Sequence, residues 1–383
     1  MKPRAARPFN RIEIDLGAFR HNLGHIRRRL EPGTKLLIVV KADAYGHGMI
    51  PIAREAVRLG GSVYLGVASS VEAFALRSAG IRARVLVLGV THPRDVARTI
   101  REDVTATLST RQEALLFDRA AAKLGRKARV HVELDTGMGR LGVWCAEAVR
   151  FLYQTSRLRH LNLEGVFTHF PSAGAADARF SASQIEIFKK AVEIAGELIE
   201  RPFRYVHMAN SAGLLAYRDA HFNLVRPGIM VYGINPSRKK LPFVLKPVLT
   251  LKSCVTLLKD VGAGRSISYA RTFVTRRPTR IATVSLGYSS GYPFSLSNRA
   301  DALIAGRRFP IVGRITMDHL MVDVGGEKGV KRWDEAVLIG RSGAEEIRAE
   351  ELAERAGTIP YEIVCGLSAA LPRLYKNAKN ARV

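Results

Sequence analysis

Short apolar runs alternate with amphipathic stretches of helical periodicity from Arg11 to about Gly233. Eight of the apolar runs have the length and the Val, Ile and Leu content of strands that are buried on both faces. These runs are Leu36–Val40, Val63–Val67, Arg84–Leu88, Thr105–Leu108, Arg129–Leu134, Leu163–Thr168, Tyr205–Met208 and Val225–Tyr232. The stretches between them predict helices, for example over Gln112–Leu124 and Ala182–Glu200.

Eight successive strand–helix units are the number found in a (β/α)8 barrel. In this α/β fold the functional side chains lie at the carboxyl ends of the strands. An open, doubly wound sheet is the alternative, because periodicity alone does not show whether a sheet closes on itself.

The pattern changes after about Leu241, where short runs are separated by Gly, Pro and Asn-Arg turns. Such runs predict strands, with one helix near Ala349–Ala356. The predicted strands are Pro247–Val261, Ser268–Thr275, Thr279–Leu286, Ala302–Ala305, Pro310–Arg314, Leu320–Val324 and Ala336–Ile339. We therefore expect a barrel domain over residues 11–240 and a mostly-β C-terminal domain over 241–383 together with 1–10. Ile12–Asp15 could supply a strand to the second domain.

Composition and charge narrow the classes of function. The chain has 383 residues, of which 47% are apolar and 25% charged, as in ordinary globular proteins. No apolar run reaches the roughly 18 residues of a membrane span, and no signal peptide is recognisable. The three cysteines lack metal-ligand spacing, so we expect a reduced, cytoplasmic protein without a metal site. The net charge of +26 is scattered, which favours a basic surface over specific nucleic-acid binding.

A lysine follows the first predicted barrel strand, in the stretch LLIVVKADAYGHGM from Leu36 to Met49. At the end of a buried strand Lys41 is partly desolvated, which lowers the pKa of its amine and frees it for Schiff-base chemistry. A lone lysine more often extends its ammonium into water, so this feature is not decisive alone.

Polar side chains also follow four other predicted barrel strands. They are DTGMGR at 135–140, His169, Asn210 with Ser211, and Arg226. Because the carboxyl ends of parallel barrel strands share one mouth, we expect these side chains to converge with Lys41 on one site.

The segment around Lys41 resembles the pyridoxal-phosphate lysine motif of alanine racemases, V-K-A-D-A-Y-G-H-G, without a gap. Further segments are similar to motifs of that family and occur in the family's order. They are DTGMGR at 135–140, LEGVFTHF at 163–170, Asn-Ser at 210–211, RPGIMVYG at 226–233, GYSSGYP at 287–293, GRITMD at 313–318 and TIPYEI at 358–363.

The resemblance spans almost the whole chain and implies a pyridoxal-phosphate-dependent alanine racemase of fold type III. It further implies a cytoplasmic homodimer with shared active sites, which supplies D-alanine for peptidoglycan. Racemisation needs a base on each face of the α-carbon, and the resemblance assigns these bases to Lys41 and Tyr269. His169 and Arg226 would ease ionisation of the tyrosine, and Arg226 would donate to the pyridine nitrogen of the cofactor.

The resemblance also implies binding roles. The cofactor would contact Lys41, Tyr45, Arg140, His169, Asn210, Ser211, Arg226, Gly228, Ile229 and Tyr361. The substrate carboxylate would lie on Arg140 and the Met317 amide, beside Asp318. Tyr269, Met317 and Tyr361 would come from the partner subunit.

The sequence departs from the family pattern at three places. Glu133 stands where many members have a carbamylated lysine, and we expect it to give Arg140 a permanent carboxylate. Ser289-Ser290 replaces the usual Ala-Asp, which keeps open a racemase of broader range, acting on serine or basic amino acids. Ala369-Ala370 stands where an arginine is frequent, which would weaken a supporting ion pair. A non-catalytic pyridoxal-phosphate-binding barrel is the remaining alternative, and it would lack both the second domain and the second base.

Overall fold

The computed structural model describes residues 8–60, 63–174, 178–237 and 241–378. Residues 1–7 and 379–383, which were included in the predicted second domain, therefore lie outside the described residues. The strands are β1 (Arg11–Asp15), β2 (Lys35–Val39), β3 (Val63–Val67), β4 (Arg84–Val87), β5 (Ala106–Leu108), β6 (Ala128–Asp135), β7 (Val143–Trp144), β8 (Leu161–Phe167), β9 (Tyr205–His207), β10 (Leu224–Val225), β11 (Leu249–Val261), β12 (Ser266–Ile267), β13 (Phe273–Val274), β14 (Thr279–Val284), β15 (Asp301–Ile304), β16 (Arg307–Pro310), β17 (Leu320–Gly325), β18 (Glu335–Ser342), β19 (Glu345–Ile347) and β20 (Arg373–Lys376).

The helices alternate with the barrel strands and recur near the carboxyl terminus. They are α1 (Leu16–Arg27), α2 (Lys41–Gly46), α3 (Met49–Arg58), α4 (Ser70–Ser78), α5 (Val96–Arg101), α6 (Arg111–Lys123), α7 (Cys145–Ser156), α8 (Arg179–Ile199), α9 (Ser211–Ala216), α10 (Ala349–Ala356) and α11 (Pro360–Cys365).

The first sheet is a barrel of eight parallel strands in the order β4-β3-β2-β10-β9-β8-β6-β5. A bridge between Leu86 and Thr105 joins β4 to β5, so the two ends of the sheet meet. The predicted barrel is confirmed, and the open, doubly wound sheet is wrong. Because all eight strands run in parallel, the residues that follow them lie around one mouth.

The last predicted barrel strand is wrong in its length. The sequence pattern predicts Val225–Tyr232, but the strand ends at Val225 and Ile229–Tyr232 forms a 3-10 turn. The physical reason lies between them: Pro227 has no amide hydrogen for a strand ladder, and Gly228 turns the backbone out of the extended region. This turn brings the chain across the mouth of the barrel.

The second domain is built on a mostly antiparallel sheet, as predicted. Its main path runs β16-β15-β18-β11-β1-β20, and β14 and β17 extend it from β11. β1 pairs with β11 and with β20 before the chain enters α1, so the amino-terminal strand lies in the second sheet.

Two predicted strands of this domain are wrong in their position. The stretch Ser268–Thr275 is interrupted by a 3-10 turn at Tyr269–Arg271, where Ser268 and Ala270 have positive φ angles. The predicted Pro310–Arg314 is replaced by β16, because a two-residue turn at Ala305-Gly306, with φ of 50° and 76°, starts the returning strand earlier.

We expect Ile14→Ala in β1 to destabilise the protein by about 2–5 kcal/mol, because its side chain is fully buried and a cavity would remain. A fall in the urea midpoint checks this result. Val71→Ala on α4 is the matched control, since Val71 is 69% exposed and should change stability by less than about 0.5 kcal/mol. An unchanged midpoint for Ile14→Ala would show that β1 does not hold the second sheet together.

Candidate active site

The loop that carries Lys41 has an unusual backbone. Residues 42–45 have φ angles between 52° and 54°, a left-handed turn made without glycine. Such angles cost roughly 1–2 kcal/mol per residue and persist only where the surroundings hold them. The Glu72 carboxylate does so by accepting hydrogen bonds from the amides of Ala42, at 2.8 Å, and Ala68, at 2.6 Å. The ends of β2 and β3 and the start of α4 therefore fix the direction of Lys41.

Charges around the mouth act on the Lys41 amine. Burial lowers its pKa, and the positive charges of Arg140 and Arg226 lower it further, while Glu72 opposes the shift. The sequence-based expectation of a partly desolvated lysine agrees with this environment. A larger fraction of the amine is therefore uncharged near neutral pH than for a lysine in water.

Arg226 follows the short strand β10 and is buried in the mouth of the barrel. Its Nη1 donates to His207 Nδ1 at 2.8 Å, and its Nη2 donates to the carbonyls of Thr168, at 2.7 Å, and Met208, at 3.1 Å. Nη2 also lies 3.2 Å from His169 Nδ1. All four acceptors are uncharged, and burial lowers the pKa of Arg226 to about 10. The guanidinium is thus held by hydrogen bonds to uncharged groups rather than by a direct ion pair.

His169 is held in its neutral form. Burial and the positive charges of Arg226, Arg140 and Lys41 lower the pKa of His169 to about 3. Because a guanidinium can only donate, the contact with Arg226 makes His169 Nδ1 the acceptor and leaves the proton on Nε2. His169 therefore has one N–H to offer to another group in the mouth.

The loop after β6 carries Arg140. The Asp135 carboxylate accepts hydrogen bonds from the amides of Gly137 and Met138, both at 2.8 Å, and of Gly139, at 2.9 Å. Gly139 has a φ of 69°, which glycine adopts without strain. The motif DTGMGR thus folds on its own aspartate and presents Arg140 to the site, where its charge acts on Lys41 and His169.

Glu133 is a buried carboxyl among these cations, and its Oε2 has no hydrogen-bond partner among the described residues. Burial raises its pKa to about 7, against the opposing effect of Arg226 first and Arg140 second. Burial thus opposes the permanent carboxylate that we expect beside Arg140, and that role of Glu133 stays a prediction. Arg226, ahead of Arg140, is the cation that most favours the ionised form of Glu133.

An anion cradle lies where the chain crosses the mouth after β10. The Ser211 hydroxyl accepts hydrogen bonds from the amides of Gly228, at 2.9 Å, and Met230, at 3.4 Å. A Cβ on Gly228 would lie 2.6 Å from the Tyr45 hydroxyl, so glycine is required for this approach. Hydroxyls and backbone amides that converge in this way suit a phosphate group. Ile229 continues the same turn.

Tyr361 lies in the barrel site of its own chain, and not in that of a partner subunit as the family resemblance implies. The ring centroids of Tyr361 and Tyr45 are 5.8 Å apart within one chain, and Tyr45 packs on Tyr232 at 5.1 Å. The prediction that Tyr361 comes from a partner subunit is wrong, because α11 folds back onto α2 of its own chain.

Asn210 has a clear local role. Its side chain caps α9 by accepting a hydrogen bond from the Gly213 amide at 2.9 Å. The cap sets the start of the helix from which Ser211 enters the cradle, so Asn210 acts on the cradle through its neighbour.

The predicted site residues of the second domain lie on its surface. Tyr269 is 70% exposed and Met317 55% exposed in the single chain. The Ser289 hydroxyl donates to Asp318 at 2.9 Å, so the replaced Ala-Asp position is hydrogen-bonded to a predicted substrate residue. The structure brings Lys41, Arg140, His169 and Arg226 together in the barrel, and these second-domain residues form a separate exposed group.

Two side chains that position the site carry no functional motif in the sequence pattern: Glu72 and His207. His207 precedes the Asn-Ser pair on the apolar strand β9, where a polar residue between apolar ones signals a side chain inside the barrel. Glu72 follows Ser69 by three residues, a spacing that predicts a helix cap and nothing more. Its carboxylate reaches Ala42 across the sequence, a contact that no local pattern reveals.

These features define a class of enzyme. A desolvated lysine, an anion cradle and clustered cations at the carboxyl end of a barrel suit a phosphorylated carbonyl cofactor and a carboxylate substrate. Among the described residues no group of three or more His, Cys, Asp or Glu side chains could hold a metal ion. In the same ranges no helix is both long and apolar enough to cross a membrane.

Comparisons with known proteins identify the family. Residues 14–236 match the alanine racemase N-terminal domain, and residues 248–375 match the alanine racemase C-terminal domain. The alanine racemase of Syntrophobacter fumaroxidans is 46% identical over 358 residues, which are 93% of this chain and 94% of that protein. An alanine racemase structure from Clostridium difficile 630 has a TM-score of 0.91 at 34% identity and 98% coverage of both chains. A Bartonella henselae alanine racemase with covalently bound pyridoxal phosphate has a TM-score of 0.87 at 28% identity, over 97% of this chain and 100% of that chain.

This chain belongs to the alanine racemase family. It is an amino-acid isomerase that racemises alanine.

We expect kcat/KM of the parent enzyme to rise between about pH 6 and about pH 8 as Glu133 ionises, and we expect Glu133→Gln to abolish this rise. Above pH 8 the variant should be about tenfold less active, because the carboxylate no longer offsets the crowded charges of Arg226 and Arg140. The measurement is kcat/KM for L-alanine as a function of pH.

Stability gives an independent check on Glu133. Its folded pKa of about 7 exceeds the ordinary 4.5, so the folded protein binds this proton more tightly and loses stability as pH rises between the two values. Glu133→Gln should remove the part of this stability loss that comes from Glu133 between pH 4.5 and about pH 7. Glu55→Gln is the control, since Glu55 is a buried carboxylate that pairs with Arg20 and Arg58. If the free energy of unfolding depends on pH in Glu133→Gln as it does in the parent protein, the ionisation of Glu133 near pH 7 is excluded.

Proposed function

We propose that this chain interconverts L- and D-alanine by proton transfer on both faces of the α-carbon, with pyridoxal phosphate as cofactor. The observation that carries the proposal is the convergence of Lys41, Arg226 and the anion cradle at one end of the barrel. When bound, the cofactor supplies an electron-withdrawing ring that takes up the negative charge left at the α-carbon. The Bartonella henselae relative, which is described with covalently bound pyridoxal phosphate, supports this assignment.

The described residues fit that cofactor. The hydroxyls of Ser211 and Tyr45 and the amides of Gly228 and Ile229 would hold its phosphate, and Asn210 would keep Ser211 in place. Tyr361 would close the cradle from its own chain by packing on Tyr45. Two amides of the cradle already bond the Ser211 hydroxyl, so the turn is ordered before an anion enters.

Arg226 would face the ring nitrogen of the cofactor. A guanidinium has no lone pair for a proton, so it would donate to the nitrogen and leave that nitrogen unprotonated. Its other N–H groups are already committed to His207, His169 and backbone carbonyls. The contacts thus fix Arg226 as a donor and keep its planar group from rotating.

Lys41 would hold the cofactor through its amine and serve one face of the α-carbon as a base. A base must be uncharged to accept a proton, and both burial and the neighbouring arginines favour the uncharged amine. Glu72 limits this shift and, through the Ala42 amide, sets the direction of the side chain. The direction of the Lys41 side chain and the pKa of its amine therefore both depend on Glu72.

Tyr269 would serve the opposite face, from the partner subunit of a homodimer. It belongs to the second domain and is 70% exposed in the single chain, as a side chain that completes another subunit's site would be. In that site it would meet the Nε2–H of His169 and the positive charge of Arg226. A hydrogen-bond donor and a nearby cation both favour the phenolate that accepts a proton.

The substrate carboxylate would lie on Arg140, with Met317 and Asp318 supplied by the same partner as Tyr269. Met317 is 55% exposed and Asp318 accepts from Ser289, so both lie at the surface of the second domain, the domain that also carries Tyr269. Arg140 supplies the charge, and Asp135 holds the loop that presents it.

We assign the enzyme to the cytoplasm and its product to D-alanine supply for peptidoglycan. The three free cysteines fit a reducing compartment. The cell-wall role rests on membership of the alanine racemase family.

Mixing two inactive variants tests the shared sites. We expect Lys41→Ala and Tyr269→Phe to be inactive alone, and to regain about a quarter of the parent activity after equal mixing and subunit exchange. Half of the dimers are then mixed, and one of the two sites in each mixed dimer has both bases intact. The measurement is D-alanine formed from L-alanine after reassociation.

The control is the same exchange with each variant alone, which should stay inactive. Absence of recovery, with mixed dimers demonstrated by a size tag on one variant, would show that Lys41 and Tyr269 of one chain serve the same site.

A further inference from the structure

A column of buried imidazoles continues from Arg226 into the interior of the barrel. Arg226 Nη1 lies 2.8 Å from His207 Nδ1, and His207 Nε2 lies 2.9 Å from His131 Nδ1. Both histidines are fully buried. His131 and Glu133 are two residues apart on β6, so their side chains share the inner face of the strand.

The direction of every hydrogen bond in this column is determined at the Arg226 end. A guanidinium has only donors, so His207 Nδ1 must accept. Burial and Arg226 keep the pKa of His207 well below its usual value and lower that of His131 to about 3, so both rings are neutral. A neutral His207 then carries its proton on Nε2 and donates to His131 Nδ1. The proton of His131 is left on its own Nε2, a buried atom that has no hydrogen-bond partner among the described residues.

We propose that His131 is a positioning residue for the racemase reaction: by accepting from His207 Nε2 it stabilises the tautomer of His207 that Arg226 requires, and thereby holds the orientation of Arg226. The proposal rests on the proposed function of Arg226 as a donor to the cofactor. His131 moves the unpartnered buried donor of this column away from Arg226; without an acceptor at His131, that donor would be the Nε2–H of His207 itself. Moving the proton to Nδ1 would relieve that donor but would set two donors, His207 and Arg226, against each other.

The packing around His131 serves the same geometry. A Cβ on Gly165 would lie 2.7 Å from His131 Nδ1, so only glycine leaves room for the ring on the neighbouring strand. The β6–β8 register shifts between Val130 and His131, and this shift places Gly165 opposite the imidazole. Tyr205 stacks on the His131 ring with centroids 5.7 Å apart. The ring is therefore held in one orientation with its Nδ1 toward His207.

The tautomers can be measured in the unmodified holoenzyme labelled with 15N-histidine. We expect the 15N shifts of both His207 and His131 to show a proton on Nε2 and none on Nδ1, without titration from about pH 6 to about pH 9. Single variants at each position assign the signals. A His207 protonated on Nδ1 or on both nitrogens would overturn the proposal, whether or not the enzyme racemises alanine.

Variants at His131 separate positioning from packing. His131→Phe keeps a ring but removes the acceptor, and should lower kcat for alanine by about tenfold or more while moving the His207 signal. His131→Asn places an amide oxygen near the position of Nδ1 and should recover most of that loss. His221→Phe is the matched control, because His221 is a buried histidine that bonds the Leu214 carbonyl instead of this column.

Equal losses of kcat in His131→Phe and His131→Asn would overturn the proposal, since filling the space would then matter and the acceptor would not. An unchanged His207 signal in His131→Phe would also overturn it. Failure of the parent enzyme to racemise alanine would instead contradict the proposed function, which the tautomer measurement does not require.

Discussion

The buried guanidinium of Arg226 is the constraint on which the site depends. A charge removed from water must be surrounded by partners, yet its direct acceptors here are two neutral imidazoles and two backbone carbonyls. This choice has electrostatic consequences for the whole mouth. Burial is the main cause that lowers the pKa values of Lys41 and His169, and the charge of Arg226 lowers both further, while it opposes the rise in the pKa of buried Glu133. Together with burial and Arg140, this charge favours the uncharged form of the Lys41 amine.

In the proposed function each domain supplies one of the two bases, the barrel Lys41 and the second domain Tyr269. The barrel holds Lys41 and Arg226 on short, tightly bonded connections, with strained backbone after Lys41 held by Glu72. The second domain carries Tyr269 on an exposed turn with positive φ angles on either side. A rigid cationic mouth in one subunit and an exposed phenol in another would place two bases on opposite sides of one carbon.

Much of this architecture could be predicted from the sequence, because it depends on local periodicity. Eight apolar runs gave the barrel, and Lys41 stands at a strand end as expected. The sequence pattern fails where contacts between residues far apart in the chain determine the position or the environment of a side chain. Tyr361 was assigned to the partner subunit, although α11 packs on α2 of its own chain. Burial, which no motif encodes, raises the pKa of Glu133 to about 7. His131 carried no motif and is recognisable only through its contact with His207.

Proton exchange in heavy water tests the central claim most directly. L-alanine is incubated with the holoenzyme, and deuterium at the α-carbon is followed together with the ratio of D- to L-alanine. Two bases on opposite faces predict D-alanine that carries α-deuterium from the earliest times. Deuterium entering L-alanine with no D-alanine formed would mean that one face alone is served, and would contradict the pairing of Lys41 with Tyr269.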